Sequence, residues 1–334
     1  MKYSVYLIIF LLPLEMIFGE ETLEFPQIKY KLLQFKNNKE LIKFLKEFSP
    51  QKNKTKYRVL TTLNRKELRF FRINLPIIVP DSFVPDLRAY SVFPYHYEGA
   101  RNIPKIIVVS NLYQAYACYE YGKLVRFAAV NTGKKSTPTY PGRYALQWKE
   151  RLRRSSFNED WIMPFTWNFH RLAGMAFHQF EMPGYPASHM CIRQFSEDAE
   201  WLYNWGEGPK KDSTGKIIPM SGTPVIIIDF YNFGGKKKWL ELTSNQPVIS
   251  LPPNPMEIEL ALIPIVHIPP ELRVIIPKKE RKRYETALDT LIARGILPKN
   301  IKLTPSQSLK KTNNDKKGSK TNTQTQSNLP FPAN

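Results

Sequence analysis

Cysteine is nearly missing: Cys118 and Cys191 are the only two in 334 residues. That count excludes a disulfide-stapled scaffold and a cysteine-rich zinc module, while leaving room for a single bridge. Acidic side chains are also scarce, 29 against 49 Lys+Arg, so the formal net charge is +20. Such a field suits a nucleic acid, an anionic membrane or a carboxylate-rich polymer, and charge alone does not choose among them. No internal repeat, CxxC or HExxH pattern occurs. The N-terminal apolar run Val5–Leu14 is broken by Pro13 and followed by Glu15. As a helix it rises only about 15 Å, half a bilayer's hydrocarbon thickness, which argues against a membrane span. With Lys2 before it and Gly19 after it, residues 1–19 read as a cleaved signal peptide, and the chain as an exported protein of the periplasm or cell envelope.

What is present suffices for a core, since 42% of residues are hydrophobic. Leu41, Phe44, Leu45 and Phe48 recur at helical spacing and predict a helix over 36–48. Residues 57–74 alternate basic and apolar side chains, and 20–85 read as a small N-terminal module. The aromatic, proline-punctuated stretch 86–103 has no clear period and reads as a linker. From 104 the chain changes character. Ile106–Val109, 111–121 and 124–130 are β-rich, the last two a hairpin across Tyr121-Gly122-Lys123. Strands are also expected at 144–148 and 223–228. Ser196 can cap a helix with Glu197 and Asp198 in its first turn and Ala199, Leu202 and Trp205 on its buried face. Closely spaced short strands argue for a mostly antiparallel, sandwich-like sheet over 104–232. Residues 233–302 are a proline-rich segment with a charged helix at 279–294. Residues 303–334 lack large apolar groups and are expected to be a disordered basic tail.

Chemistry concentrates between Met175 and Arg193. A free thiol has a pKa of about 8.5, so a nearby imidazole would be needed to hold it as an anion. Cys191 has His178 and His189 close in sequence, and successive backbone N–H groups beside it could hold an oxyanion. On these residues alone three readings stand: a thiol nucleophile, a buried structural cysteine, or a metal site drawn from His170, His178, His189 and Cys191. Arg193 would share a side with Cys191 in extended backbone and attract a carboxylate. Cys118, on a strand, reads as a small core residue; His96 and His267 read as structural. The aromatic residues Trp161, Phe165, Trp167, Phe169 and Phe177 read as core, and Arg151, Arg153 and Arg154 as a solvated face.

The stretch His178, Gly184-Tyr185-Pro186-Ala187, Ser188-His189-Met190-Cys191-Ile192-Arg193 resembles the catalytic signature of the L,D-transpeptidase (YkuD) family, a histidine followed by Ser-His-Gly-Cys-x-Arg. Ile106–Gly133 resembles the family's opening hairpin, Thr137–Tyr144 its TPxG-aromatic loop, and Gly222-Thr223-Pro224-Val225 its closing strand. The likeness spans about 104–230. It implies a mainly β fold, an L,D-transpeptidase-like β-sandwich with short helices, flanked here by small α/β extensions. It implies Cys191 as nucleophile on a peptidoglycan stem tetrapeptide, and His178 as general base in a thiolate–imidazolium pair oriented by the carbonyl of Gln179. The N–H groups of Met190 and Cys191, near His189, would form the oxyanion hole, with Ser188 and Arg193 shaping the loop. No metal or organic cofactor is required.

The product would be a cross-link or an attached protein, with hydrolysis of the same bond by an L,D-carboxypeptidase, or non-catalytic wall binding, as rivals. Export and the lack of a recognition motif argue against nucleic acid. Two residues depart from the pattern: Met190 stands where the motif has glycine, and Gln179 where a small residue is usual. A side chain at 190 is expected to narrow the site, at a position where glycine would permit positive φ. Leu63-Asn64-Arg65 and Leu75–Pro80 resemble, more distantly, a LysM-like glycan-binding unit. The basic tail suits anionic envelope polymers.

Overall fold

A computed structural model describes residues 25–155 and 160–308. The expected signal peptide, and the tail beyond residue 308, lie outside the described residues.

The N-terminal module runs β1 (Tyr30–Leu33), α1 (Asn38–Glu47), α2 (Lys54–Asn64) and β2 (Ile77–Pro80), with β1 antiparallel to β2. Both helices start on asparagine caps: Asn37 and Asn53 Oδ1 each accept the N–H three residues on, at 2.9 Å. The basic–apolar alternation from Tyr57 resolves into α2, because Val59, Leu60 and Leu63 fall on one helical face and are buried.

Among the described residues nine strands form one sheet: β3 (Ile106–Ser110), β4 (Ala115–Glu120), β5 (Lys123–Asn131), β6 (Gly142–Ala145), β7 (Lys149–Arg154), β8 (Ile162–His170), β9 (Met175–Gln179), β10 (Ile192–Gln194) and β11 (Pro224–Ile227). Their order is β6-β11-β3-β4-β5-β10-β9-β8-β7. The sheet is mixed: β11 runs parallel to β3 and β10 parallel to β9, and the remaining pairs are antiparallel. The expected β4–β5 hairpin turns on Tyr121 and Gly122, both left-handed at φ 48° and 76°, as a two-residue turn matching strand twist requires.

Alternation along β3 sends Ile107 and Val109 to one face and Ile106 and Val108 to the other. The first face is the inside of a curl. Tyr144 of β6 meets Phe169 of β8 edge-on at 5.2 Å although the two strands lie far apart in the sheet order. This gives the mainly β, sandwich-like architecture. Helix α3 (Ser196–Trp205) follows β10 and buries Ala199 and Leu202 as expected, while Trp205 stacks on Trp201 at 5.2 Å. Its N-cap is Phe195, and Ser196 makes no capping bond. Asp198 instead turns inward to pair with Arg126.

The flanking segments are more deeply integrated than their composition suggests. Residues 86–103 are no tether: Leu87, Ala89, Tyr90, Val92, Phe93 and Tyr97 are buried on the outer face of the sheet, beside Val59 and Leu63 of α2. The lack of a period reflects two single 3-10 turns, Leu87–Tyr90 and Glu98–Ala100, joined by irregular backbone. The segment after β11 returns through α4 (Pro270–Arg273) and α5 (Lys278–Ala293), placing Ile263, Ile268, Ala287 and Leu291 in the main core. Glycine at 295, with φ 69°, ends α5 as expected. Residues 304 and 306, assigned by composition to the tail, are tied down by Thr304 N–H to Ser136 O and Ser306 N–H to Val266 O, both 2.9 Å.

Candidate active site

Parallel pairing of β9 with β10 sets His178 opposite Arg193 and Phe177 opposite Ile192. The intervening loop is held from three sides. Glu67, just after α2, donates its N–H to Met182 O at 2.9 Å and accepts the Met182 N–H on Oε1 at 3.1 Å. Asn131 Oδ1, at the end of β5, accepts the Gly184 N–H at 2.9 Å, and Thr132 O accepts the N–H groups of Ala187 and Ser188. The TPxG-like loop supplies the third side: Thr137 O accepts the Met190 N–H at 3.0 Å and Thr139 Oγ1 donates to Met190 O at 2.9 Å. Gly133 lets that loop close, since a β-carbon there would lie 2.2 Å from Thr137 O. Ser188 Oγ donates to Cys191 O, which curls the chain at the sulfur.

Cys191 and His178 line one small cavity of about 90 Å³ together with Ser188, His189 and Arg193. His178 is buried, and its Nδ1 donates to Gln179 O at 3.0 Å, leaving Nε2 as the basic nitrogen. Desolvation pulls this imidazole down to about 4, offset in part by the Gln179 bond. Desolvation likewise pushes the Cys191 thiol up to about 11, against the Ala176 backbone bond and the Arg193 charge. The thiol donates to Gly174 O at 3.5 Å. Burial thus favours the neutral form of each group, against the thiolate–imidazolium pair that the resemblance implies.

Two further expectations change. Met190 has φ 66°, so the positive φ that glycine would permit is adopted by a residue with a β-carbon. Its side chain is 2% exposed and packs in the main core, away from the cavity, so it does not narrow the site. Its N–H is committed to Thr137 O, which removes it from the oxyanion hole. His189 lines the cavity with its Nε2 3.0 Å from Lys134 Nζ; burial and the neighbouring Lys134 and Arg193 charges favour its neutral form. Arg193 spreads its guanidinium over Phe180 at 4.6 Å and donates to Glu181 O at 3.3 Å.

The open metal reading fails on geometry. His170 sits between the rings of Tyr144 and Tyr284, and no group of three His, Cys, Asp or Glu side chains suited to an ion occurs among the described residues. Cys118 is fully buried, as read from its strand, and both cysteines are free. His267 is buried against Tyr140 at 3.2 Å. Trp148, Arg153 and Trp161, on or beside β7 and β8, also line the cavity. Their sequence looked like core or solvated surface because nothing local announces a hairpin folding over a distant loop. Thr137 and Thr139 were legible only as part of a motif, not as clamps.

Residues 104–227 match the family model YkuD, the L,D-transpeptidase catalytic domain. Among solved structures, an L,D-transpeptidase from Stackebrandtia nassauensis aligns at 22% identity and TM-score 0.30, covering 37% of this chain and 55% of that one. One from Xylanimonas cellulosilytica aligns at 27% and 0.29, covering 37% and 59%. One from Mycobacterium smegmatis aligns at 16% and 0.30, covering 37% and 58%. The chain thus spans less than two thirds of the length of these structures. No curated protein matches it. Residues 104–227 form a YkuD-family L,D-transpeptidase catalytic domain.

Proposed function

We propose that this chain is a peptidoglycan L,D-transpeptidase that works through a thioester on Cys191. The observation that carries the reading is the shared cavity: a cysteine and a histidine on adjacent parallel segments, inside a domain of this family. Burial raises the Cys191 thiol and lowers the His178 imidazole that shares its cavity, which favours the neutral form of both. Proton transfer to His178 Nε2 is then coupled to attack rather than preceding it. Sulfur bonds to the carbonyl carbon of the stem tetrapeptide, the carbonyl oxygen takes the charge, and the Cys191 N–H is the adjacent backbone donor. As the carbon–nitrogen bond breaks, His178 returns the proton to the leaving D-alanine amine. An amine on a neighbouring stem or an attached protein then displaces the thiol.

Incubating the exported form and its Cys191→Ala variant with purified muropeptides, followed by mass spectrometry, tests the reading. Cross-linked dimers that vanish in the variant are expected. Shortened monomers alone would assign a carboxypeptidase, and binding without turnover, unchanged in the variant, a wall-binding protein.

A further inference from the structure

A second cavity, of about 680 Å³, opens between the N-terminal module and residues 235–243, away from Cys191. Lys66, Lys236 and Lys237 line it, with Leu32, Leu75 and Pro76 among its apolar walls. Lys66 is only 6% exposed, its ammonium 4.4 Å above the Phe71 ring. Lys237 is half-buried, donating to Gly184 O at 2.8 Å and lying 5.7 Å from the Trp239 ring. Among the described residues no carboxylate pairs with Lys66, Lys236 or Lys237; the one acid on the lining, Glu241, is held by Lys238 at 2.8 Å.

Two desolvated ammoniums of like charge, without a counter-ion, are costly for a fold to keep. The cost is visible at Lys66, which is pulled down to about 8 by burial and by the charges of Lys237 and Arg72. Lys237 is lowered by burial too. A neighbouring anion removes this penalty, and the cavity offers apolar walls for the body that carries it. We infer that this groove is an anion-binding site, separate from the catalytic cavity, for an extended chain bearing carboxylate or phosphate groups.

The test is calorimetric titration of the full chain with hexa-L-glutamate and with tripolyphosphate, in two buffers of different ionisation enthalpy. One probe is expected to bind one-to-one, and Lys237→Met to weaken it by about tenfold or more, while Lys278→Met, on the exposed start of α5, changes it by less than about twofold. Preference between the probes tells carboxylate from phosphate. Binding an anion restores the Lys66 ammonium, so at pH 8 the complex should take up about half a proton, falling towards none at pH 6. An exposed lysine gives no such uptake, and Lys66→Met should abolish it. Should Lys66→Met fail to fold, Lys237→Met decides alone. Absence of saturable binding, or equal weakening by Lys237→Met and Lys278→Met, overturns the site and leaves only diffuse attraction to a basic surface.

Discussion

Replacing Met190 by glycine sets two energies of opposite sign against each other. The backbone at this position is left-handed, φ 66°, where a β-carbon costs about 1–2 kcal/mol and glycine costs nothing. The side chain, however, is 2% exposed in the main core. Truncating a buried methionine costs about 2–5 kcal/mol. The second term wins, and Met190→Gly should destabilise the protein by about 1–3 kcal/mol. Its urea midpoint should fall with an unchanged slope, because the surface exposed on unfolding is nearly the same. Alkylation of Cys191 should be little affected, since the clamps on the loop (Thr137 O, Thr139 Oγ1 and Ser188 Oγ) do not involve the Met190 side chain. A variant more stable than the parent, or one whose Cys191 alkylates about tenfold faster or slower at pH 7, would refute this partition of strain and packing.

Alkylation by iodoacetamide should be slow at pH 7 and climb as pH approaches about 11, with Cys118 inert throughout; a plateau already reached near pH 7 would mean a stabilised thiolate. His178 and His267, both pulled down to about 4, stay neutral in the fold while the unfolded chain binds protons below about 6.5. Stability should therefore fall as pH drops from about 6.5 to 4, by up to roughly 3 kcal/mol per histidine, and change no further from this cause below that. Asp229, pushed up to about 6 by burial, works in the opposite direction and offsets part of the loss; urea midpoints that stay flat from pH 7 to 4.5 would contradict the burial argument. Gly133→Ala should cost about 1–3 kcal/mol and lower transpeptidation, because its β-carbon would displace the Thr137 carbonyl that holds Met190. Wild-type turnover in that variant would detach the clamp from catalysis.

Local signals were enough for much of the fold. The β-branched run at 106–109, the Tyr121-Gly122 turn and the glycine ending α5 each sit where short-range chemistry put them. The α2 helix was obscured because Lys56 and Arg58 interleave with Tyr57 and Val59 in a pattern close to two-residue alternation. The hairpin of β7 and β8 was hidden for another reason: Arg151, Leu152 and Arg153 lie on an edge strand, where the outer face carries no hydrophobic requirement. At the site, the motif named Cys191, His178 and Gln179, and the Nδ1–carbonyl contact lies where the resemblance put it. The cavity around the pair was not legible, because Trp148, Arg153 and Trp161, which line it, lie dozens of positions away in the chain.

The loop that carries Cys191 is held largely from outside the motif. The loop from Met182 to Cys191 is pinned by Glu67 from the N-terminal module on one side and by Thr137 and Thr139 on the other. The Thr137 loop is itself fastened by Thr304 to Ser136 and by His267 against Tyr140. Backbone hydrogen bonds of this kind stabilise only modestly one by one, but each removes freedom from a segment that must present one N–H and one sulfur in register. A left-handed methionine is affordable only where surrounding contacts over-determine the conformation. Thr137 and Thr139 make those contacts from within residues 104–227, and the additions at both ends brace them, Glu67 at Met182 and Thr304 at Ser136, so the Cys191 loop is tied to residues outside that range as well as within it.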